Sequence, residues 1–320
     1  MKNKFYLYRK AWRFDGAPHE EPQLQEQEWK ELLKQGGLLV RNTYTFDCQE
    51  NTSFWYLIKD QFEGLEELSG NTRKKVRRSL EKIEFRKVDN AFIKQNGYPI
   101  LRTSFDDYLI KDRITNYHTF ENYLKECGNK DYDYWGLFDK NDNRFIGFFT
   151  VMLWDASCEY GLVAVLPDYK RKNTAYPYYG LFYTMNQYYL QEKGFRYVTD
   201  GARSITEHSN IQPFLEEKFH FRKAYCQLAV YYKWWMKIAV NILYPFRKII
   251  TLPRVKAILN MEAMQRGEKK TQNRILFQVV LRPYRGIDWT YCPISAFAYH
   301  RHPHKNRLER SYVLYAKTYW

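Results

Sequence analysis

The sequence has no run of about 18 consecutive apolar residues, the length that a membrane-spanning helix needs. Its first residues, MKNKFYLYRKAWRF, also lack the apolar core of a signal peptide. The longest apolar stretch, Trp234 to Ile250, contains charged residues and Pro245, so it is suited at most to lie on a membrane surface. These absences predict a cytoplasmic protein, with the inner membrane surface as a second place where it acts.

Cysteine is scarce and unpatterned. The five cysteines are scattered, odd in number and form no C-x-x-C pair, which indicates reduced thiols rather than a disulfide framework. Cys158 and Cys226 stand in apolar strand contexts, where an inert buried thiol is usual, so we expect no cysteine nucleophile. The histidine-rich HRHPH, His300–His304, has no carboxylate or cysteine beside it, and we expect no metal site.

Acidic residues are too few to balance the basic ones. The chain has 51 Lys and Arg against 36 Asp and Glu, which gives a formal net charge of +15. Such a surplus predicts an acidic partner: a phosphate-bearing cofactor, a nucleic acid or an anionic membrane. Gly and Pro, 15 and 11 residues, are too few for a disordered or fibrous chain. The 29 tyrosines instead predict many half-buried surfaces or a cleft.

The order of the predicted elements indicates a mixed α/β fold. A short helix over Gln25–Gln35 precedes two strands, and Phe62–Ile83 reads as a helix in two parts, the second of which is strongly basic. A polar helical region follows over Ser104–Glu126. Three apolar strands then form an antiparallel meander, in DYWGLFD, RFIGFFTVMLWD and CEYGLVAVLP. After them the pattern changes to strand, helix, strand, helix and strand, up to Tyr232.

One segment at this change, PDYKRKNTAYPYYG, combines features of a phosphate-binding loop. A loop that cradles a diphosphate needs backbone N–H groups turned inward and small or turn-tolerant residues where the ligand approaches. Asn173 tolerates a left-handed backbone, Ala175 is small, and Pro177 suits the first turn of a helix whose free N–H groups attract anions. Three consecutive cations, Lys170 to Lys172, supply charge for phosphate. A plain solvated basic loop is the alternative.

Here the chain resembles the GNAT (N-acetyltransferase) superfamily, whose acyl-CoA loop reads Gln/Arg-x-x-Gly-x-Gly/Ala after a strand that ends in a hydrophobe-x-Pro. VLP, Val165 to Pro167, matches the strand end. Lys170 takes the Gln/Arg position, Asn173 the first Gly and Ala175 the final Gly/Ala; the Asn is a departure from the motif. The segment NIQPFLEEKFHF is similar to the family's fourth helix, but Glu216 stands where many members have a tyrosine general acid.

The resemblance covers about half of the chain, and the basic helix LSGNTRKKVRRSLEK resembles one in Fem-type peptidyltransferases and related larger bacterial proteins. It implies a GNAT-like mixed sheet that splays between the strand ending at Pro167 and the strand ending at Asp200, with the acyl donor in the gap. We expect an N-terminal extension over residues 1–70, the transferase domain over 71–235, and a helical, basic C-terminal extension over 236–320.

The candidate site residues follow from this arrangement. Glu159, Asp200 and His208 are the candidate catalytic groups: Glu159 lies on the strand that often carries a carboxylate base in the family, and Asp200 ends the strand across the gap. Exposed strand-end, turn-capping and helix-flanking roles are the alternatives for the three. The residues expected to bind the donor are Val165, Lys170, Arg171, Lys172, Asn173, Thr174, Ala175 and Asn210.

Three functions remain open at this point. The first is acyl transfer from acetyl-CoA or another acyl-CoA to an amine-bearing small molecule or sugar, without a covalent enzyme intermediate. The second is a Fem-type transferase that uses charged tRNA, favoured by the basic helix and the net charge. The third is a non-catalytic protein that binds nucleic acid or an anionic membrane.

Overall fold

The structure is a computed structural model, and it describes residues 5–8, 10–105, 116–171, 175–205 and 211–267 of the 320-residue chain. The strands in these ranges are β1 (Phe5–Tyr8), β2 (Ala11–Phe14), β3 (Leu39–Tyr44), β4 (Phe54–Lys59), β5 (Ile83–Val88), β6 (Tyr132–Asp139), β7 (Phe145–Trp154), β8 (Ser157–Val165), β9 (Tyr197–Ala202) and β10 (Arg222–Tyr232). The helices are α1 (Glu26–Gln35), α2 (Gly70–Lys82), α3 (Asn90–Phe105), α4 (Tyr117–Gly128), α5 (Pro167–Arg171), α6 (Pro177–Asn186), α7 (Ile211–Phe219), α8 (Trp234–Leu243) and α9 (Pro253–Gln265). Helix α6 continues as a π-helical segment, Gln187–Glu192.

All of these strands join one mixed sheet in the order β1-β2-β3-β10-β4-β9-β8-β7-β6-β5. The pairs are antiparallel except for β2/β3 and β8/β9, which are parallel. The predicted meander is present as β6, β7 and β8, and the turn between β6 and β7 places Asn143 in the left-handed region, at φ +56°. The mixed α/β sheet predicted from the sequence is therefore confirmed.

The sheet curls, so that its two ends approach each other on one side. Lys130, at the end of α4 before β6, forms an ion pair with Asp15, which follows β2. The same ammonium lies 4.5 Å from the centre of the Tyr6 ring on β1. Because β2 and β6 are separated by six strands in the sheet order, this contact requires strong curvature. We call the inner side of the curl the concave face and the outer side the opposite face.

Helices cover both faces. On the opposite face an aromatic core, including Tyr160, Phe182 and Phe214, joins the sheet to α2, α6 and α7. On the concave face α3 and α4 cover the β5–β8 end, around Phe120 and Phe148, and α8 and α9 cover β3, β10 and β4. The part of the concave face between these two helix pairs carries polar side chains and forms the candidate site described below.

One local prediction was wrong, and one helix was not predicted. The first half of the predicted helix over Phe62–Ile83 is a series of turns, because Gly64 adopts φ +75°, a left-handed conformation that a helix does not accommodate. The helix begins only after Ser69, whose hydroxyl accepts a hydrogen bond from the Thr72 N–H. Helix α3 was not predicted, since its pattern is weak and Pro99 lies inside it.

Candidate functional site

Strands β8 and β9 separate after three paired residues. They are parallel neighbours from Ser157/Tyr197 to Glu159/Thr199, and no further pair of residues joins them in the described part of the chain. Beyond that point β8 continues to Val165 beside β7, whereas β9 continues beside β4. This divergence is the splay that the sequence resemblance implied, and Glu159 lies at its closed end.

Backbone groups of β8 point into the gap. The Leu166 N–H donates a hydrogen bond to the Ile146 carbonyl of β7, at 2.9 Å. In an antiparallel ladder, hydrogen-bonded and non-hydrogen-bonded pairs alternate, so Gly147/Val165 and Phe149/Val163 are non-hydrogen-bonded pairs. The N–H and C=O groups of Val163 and Val165 therefore point away from β7, toward the open side of the splay.

A β-bulge accompanies the splay. Gly161 and Leu162 on β8 together oppose Thr150 on β7, and the Leu162 N–H donates to the Thr150 hydroxyl at 2.9 Å. A Cβ atom at position 161 would lie 2.5 Å from that hydroxyl oxygen and 2.7 Å from the Thr150 carbonyl oxygen, so the bulge requires glycine. The bulge bends β8 at the point where it leaves β9.

The predicted phosphate-binding segment contains a short helix rather than only a loop. Lys170 lies half-buried in α5, and Arg171 is the last residue of that helix. Ala175 is buried, and Tyr176 adopts a left-handed conformation, φ +50°, directly before Pro177 begins α6. The predicted positions Lys172, Asn173 and Thr174 lie outside the described residues.

The basic helix α2 packs beside the beginning of α6. The Lys75 ammonium lies 5.3 Å from the ring centre of Tyr176 and 5.1 Å from that of Tyr179. The helices approach closely at Gly180, where an added Cβ would overlap Ser79 Oγ and lie 2.8 Å from the Phe85 ring. A cation of α2 is thus held at the positive end of α6, an arrangement that favours an anion there.

The two described candidate carboxylates lie on different sides of the sheet. Glu159 is half-buried on the concave face, and its charge raises the pKa values of Arg13 and Arg41. Asp200 is buried in β9, and its charge raises the pKa of Tyr160, a residue of the opposite face, after the larger effects of burial and of Cys158. The two carboxylates therefore lie on opposite faces of the sheet. His208 and Asn210 lie outside the described residues.

Two arginines share the concave face with Glu159. Burial lowers the pKa of the Arg41 guanidinium, and the positive charge of Arg13 lowers it further. For Arg13, burial also lowers the pKa, but Tyr6, Tyr56 and Glu159 outweigh it, so that the net change is upward. Arginine remains protonated in proteins, and Arg13 pairs with Arg41 across β2 and β3, so the concave face holds two adjacent positive charges here.

Tyrosines complete the concave site. Burial raises the pKa of Tyr56, whose hydroxyl lies 3.3 Å from the Thr43 hydroxyl. Burial also raises the pKa of Tyr132, with Cys127 and then Glu159 adding to the effect. Both phenols are therefore neutral hydrogen-bonding groups at physiological pH. We call Arg13, Arg41, Tyr56, Tyr132 and Glu159 the concave site.

A histidine not predicted as functional lies on the same face. His19 Nδ1 and the Tyr197 hydroxyl are 2.8 Å apart, and the two rings meet edge to face. Burial lowers the pKa of His19, and the positive charge of Arg196 lowers it further. His19 is therefore neutral at pH 7.

Sequence reasoning missed most of the concave site. Arg13 and Arg41 lie on β2 and β3, more than a hundred residues before Glu159, and no local motif connects them. The only sequence signal was the excess of tyrosine, which predicted a cleft without naming its residues. The register, in which Arg13 pairs with Arg41, is a property of the folded sheet.

The described residues include no group of three or more His, Cys, Asp or Glu that could hold a metal ion. Cys158 and Cys226 are buried, and burial raises the pKa of the Cys226 thiol. A thiol that resists ionisation is a poor nucleophile. Within the same ranges, no helix combines the length and the apolar character needed to cross a bilayer.

No protein-family model matches the sequence, and no curated protein matches it either. Solved structures do resemble it. FemX aligns with a TM-score of 0.46 at 11% identity, over 72% of this chain and 73% of FemX. The structure of L-PGS from Bacillus licheniformis aligns with a TM-score of 0.44 at 11% identity, over 82% of this chain and 85% of the other.

An acetyltransferase aligns over a smaller part of the chain. The PaiA N-acetyltransferase from Thermoplasma acidophilum, solved in complex with coenzyme A, has a TM-score of 0.27 and 18% identity. It covers 35% of this chain and 74% of its own. The structures similar to this chain thus include both kinds that the sequence resembles, a Fem-type protein and an N-acetyltransferase.

Proposed function

We propose that the protein is an acyltransferase that holds an activated acyl donor in the gap between β8 and β9 and transfers the acyl group to an amine in the concave site. The observation that carries the proposal is the pair of backbone N–H groups, of Val163 and Val165, aimed at that gap. Glu159 stands at its closed end. Backbone donors beside a carboxylate are the two groups that aminolysis of an activated acyl compound requires.

An acyl-CoA, such as acetyl-CoA, is the donor that we favour. Its extended amide-containing arm suits the outward N–H and C=O groups of Val163 and Val165, which offer the same hydrogen bonds as the edge of a sheet. Its phosphates suit the beginning of α6. Lys75 lies beside this point in space, and Lys170 lies in α5, shortly before it in the sequence. Arg171, Lys172, Asn173, Thr174 and Ala175, with Asn210, remain proposed contacts of the donor.

In the proposed reaction the acceptor nitrogen attacks the thioester carbon. Glu159 takes a proton from the ammonium or amine, and a β8 N–H stabilises the negative charge on the carbonyl oxygen. The C–N bond forms, the C–S bond breaks, and the thiolate leaves and is protonated. Asp200, which lies on the opposite face, and His208 remain candidate groups for other proton transfers.

The acceptor is proposed to carry a carboxylate or phosphate besides its amine. Arg13 and Arg41 are paired neighbours on β2 and β3, and the charge of Glu159 acts on both guanidiniums. An anionic group offsets such paired positive charge, and arginine binds carboxylate and phosphate with two parallel hydrogen bonds. Amino acids, phosphorylated amines and amino sugars with an acidic group fit this description.

Thermal unfolding with acetyl-CoA and with free CoA tests donor binding. Saturation at about 100 Kd should stabilise the protein by about 2.7 kcal/mol, which raises its melting temperature. Val165→Pro removes the N–H that faces the gap but no ladder bond to β7, so the ligand-induced shift should disappear. Val165→Ala, at the same buried position, keeps the N–H and should keep the shift. Equal shifts in both variants would refute the proposed donor contact.

The rate of acyl transfer tests whether Glu159 is the general base. Glu159→Gln should keep the CoA-induced shift and lower the transfer rate by about 100- to 10,000-fold, the usual range for a lost general base. Glu81→Gln, on the exposed side of α2, is the matched control and should leave the rate unchanged. A rate unaffected by Glu159→Gln would remove this residue from the chemistry.

The second candidate is transfer from an aminoacyl-tRNA. It is favoured by Lys74 and Arg77, which are exposed on α2 beside the beginning of α6 and suit a phosphate backbone. In that case CoA compounds should give no thermal shift, and transfer from charged tRNA should fall steeply with salt. Salt-sensitive nucleic-acid binding without transfer from either donor would instead indicate a non-catalytic binding protein.

A further inference from the structure

Large apolar side chains are exposed along one side of α8 and the turns that follow it. Trp234 is 76% exposed, Ile238 52% and Ile242 62%. These residues are four apart, so they form one stripe along the helix. Trp235, Phe246, Ile249 and Leu252 extend this exposed surface along the helix and the turns. We call all seven residues together the apolar stripe.

The packing of α8 explains why the stripe stays outside. Met236 and Val240 are buried and pack with Leu259 and Met261 of α9 against the concave face of the sheet. With 100° per residue, these inward positions lie opposite Trp234, Ile238 and Ile242 on the helix. The helix is thus apolar on both sides, and only one side is used within the described part of the chain.

The stripe is surrounded by positive charge. From Lys218 to Met261 the sequence contains no Asp or Glu. Within the same stretch Lys237, Lys248, Arg254 and Lys256 are exposed. A protein partner with an acidic rim and an anionic membrane would both suit the charge, but the apolar residues decide between them. Two tryptophans and several aliphatic chains, flanked by lysine and arginine, form the pattern of a helix lying in a membrane interface.

We propose that the apolar stripe docks the protein onto a membrane that contains anionic lipids, with α8 lying in the plane of the interface. The ten residues of α8 are too few to cross a bilayer, which takes about 20. The apolar side chains enter the headgroup boundary, and the surrounding lysines and arginines bind the anionic headgroups. This docking is independent of the proposed acyl transfer, because it uses no residue of the concave site or of the β8/β9 gap.

Vesicle sedimentation of the full-length chain tests the proposal. Wild-type protein should bind vesicles of phosphatidylcholine with 30% phosphatidylglycerol, and bind pure phosphatidylcholine vesicles much more weakly. The double variant Ile238→Ser/Ile242→Ser should lower the partition coefficient at least about tenfold, since both side chains then lose the favourable transfer of apolar surface out of water. Lys237→Glu/Lys248→Glu should remove the preference for the anionic vesicles.

A matched control separates the stripe from exposed apolar residues in general. Leu7 and Tyr44 are 42% and 41% exposed and lie on other elements, so Leu7→Ser/Tyr44→Ser should bind like wild type. Far-UV circular dichroism should be the same for all variants, because the substituted side chains are exposed. Equal binding of the stripe variant and the control variant would overturn the proposal. The proposal would also be overturned if wild-type protein did not bind vesicles and eluted as an oligomer in size-exclusion chromatography, while the stripe variant eluted as a monomer. The stripe would then contact a second copy of the chain.

Discussion

A buried ion pair between Lys59 and Glu67 gives the sharpest stability prediction. The Lys59 ammonium donates to Glu67 Oε2 at 3.0 Å, and the two side chains are only 4% and 10% exposed. Lys59 is the last residue of β4, and Glu67 lies in the turns before α2. Breaking such a pair from one side leaves a buried charge without its partner, which typically costs about 3–5 kcal/mol. Glu67→Gln makes this change with little change of shape.

The surroundings of the ion pair narrow the loss of unfolding free energy that we expect for Glu67→Gln. Lys59 and Glu67 both line a polar cavity together with Asp60, His220 and Arg222. Water in this cavity can solvate part of the freed ammonium, so we expect the lower end of the range, about 3 kcal/mol. The double variant Lys59→Met/Glu67→Leu removes both charges and should recover most of the loss, because two apolar side chains need no compensating charge.

The assay is urea unfolding of the full-length chain, followed by circular dichroism and by fluorescence. Glu66→Gln is the matched control, because Glu66 also pairs with a cation, Arg73 at 3.3 Å, but is 78% exposed. Its loss should cost less than about 1 kcal/mol. The reasoning is refuted if Glu67→Gln costs no more than Glu66→Gln, or if the double variant is less stable than Glu67→Gln alone.

Two further predictions concern packing and pH. Gly180→Ala should destabilise the fold by about 1–3 kcal/mol, because its Cβ would overlap Ser79 Oγ and lie 2.8 Å from the Phe85 ring. Thermal unfolding should show a lower melting temperature. An unchanged melting temperature would contradict the tight contact between α2 and α6. His19 has a folded pKa below its unfolded value of about 6.5, so the folded state binds fewer protons and stability falls as the pH drops from about 6.5 toward the lowered pKa. His19→Gln should flatten the stability–pH profile in this window only, and an unchanged profile would contradict the assignment.

The sequence correctly predicted those strands, turns and helices whose conformation depends on a few neighbouring residues. The nearly continuous apolar runs of β7 and β8, and the asparagine turn before β7, were sufficient for the meander, because short apolar runs and tight turns depend on neighbouring residues. Helix α1 was equally readable, with Gly36 and Gly37 ending it. Helix α3 could not be predicted from the sequence, because its interior Pro99 and its weak periodicity are not typical of a helix. Tertiary packing nevertheless stabilises it.

The candidate site likewise has parts that the sequence indicated and parts that it did not. The sequence indicated the strand that carries Glu159 and the segment that leads into α6, since both lie within one continuous stretch of chain. It did not indicate that Asp200 lies on the opposite face, because a β-strand residue's side is fixed by the register of its neighbours.

By itself, the sequence determined the β6–β8 meander and the alternation of strands and helices that follows it, the basic segments and the apolar character of α8, all of which depend on nearby residues. Only the tertiary structure decided that the sheet curls, that Arg13 and Arg41 face Glu159, and that β8 and β9 separate to turn backbone N–H groups into a gap. The physical reason is that these features join strands distant in sequence, and the pairing of such strands is set by the packing of the whole sheet rather than by any local pattern.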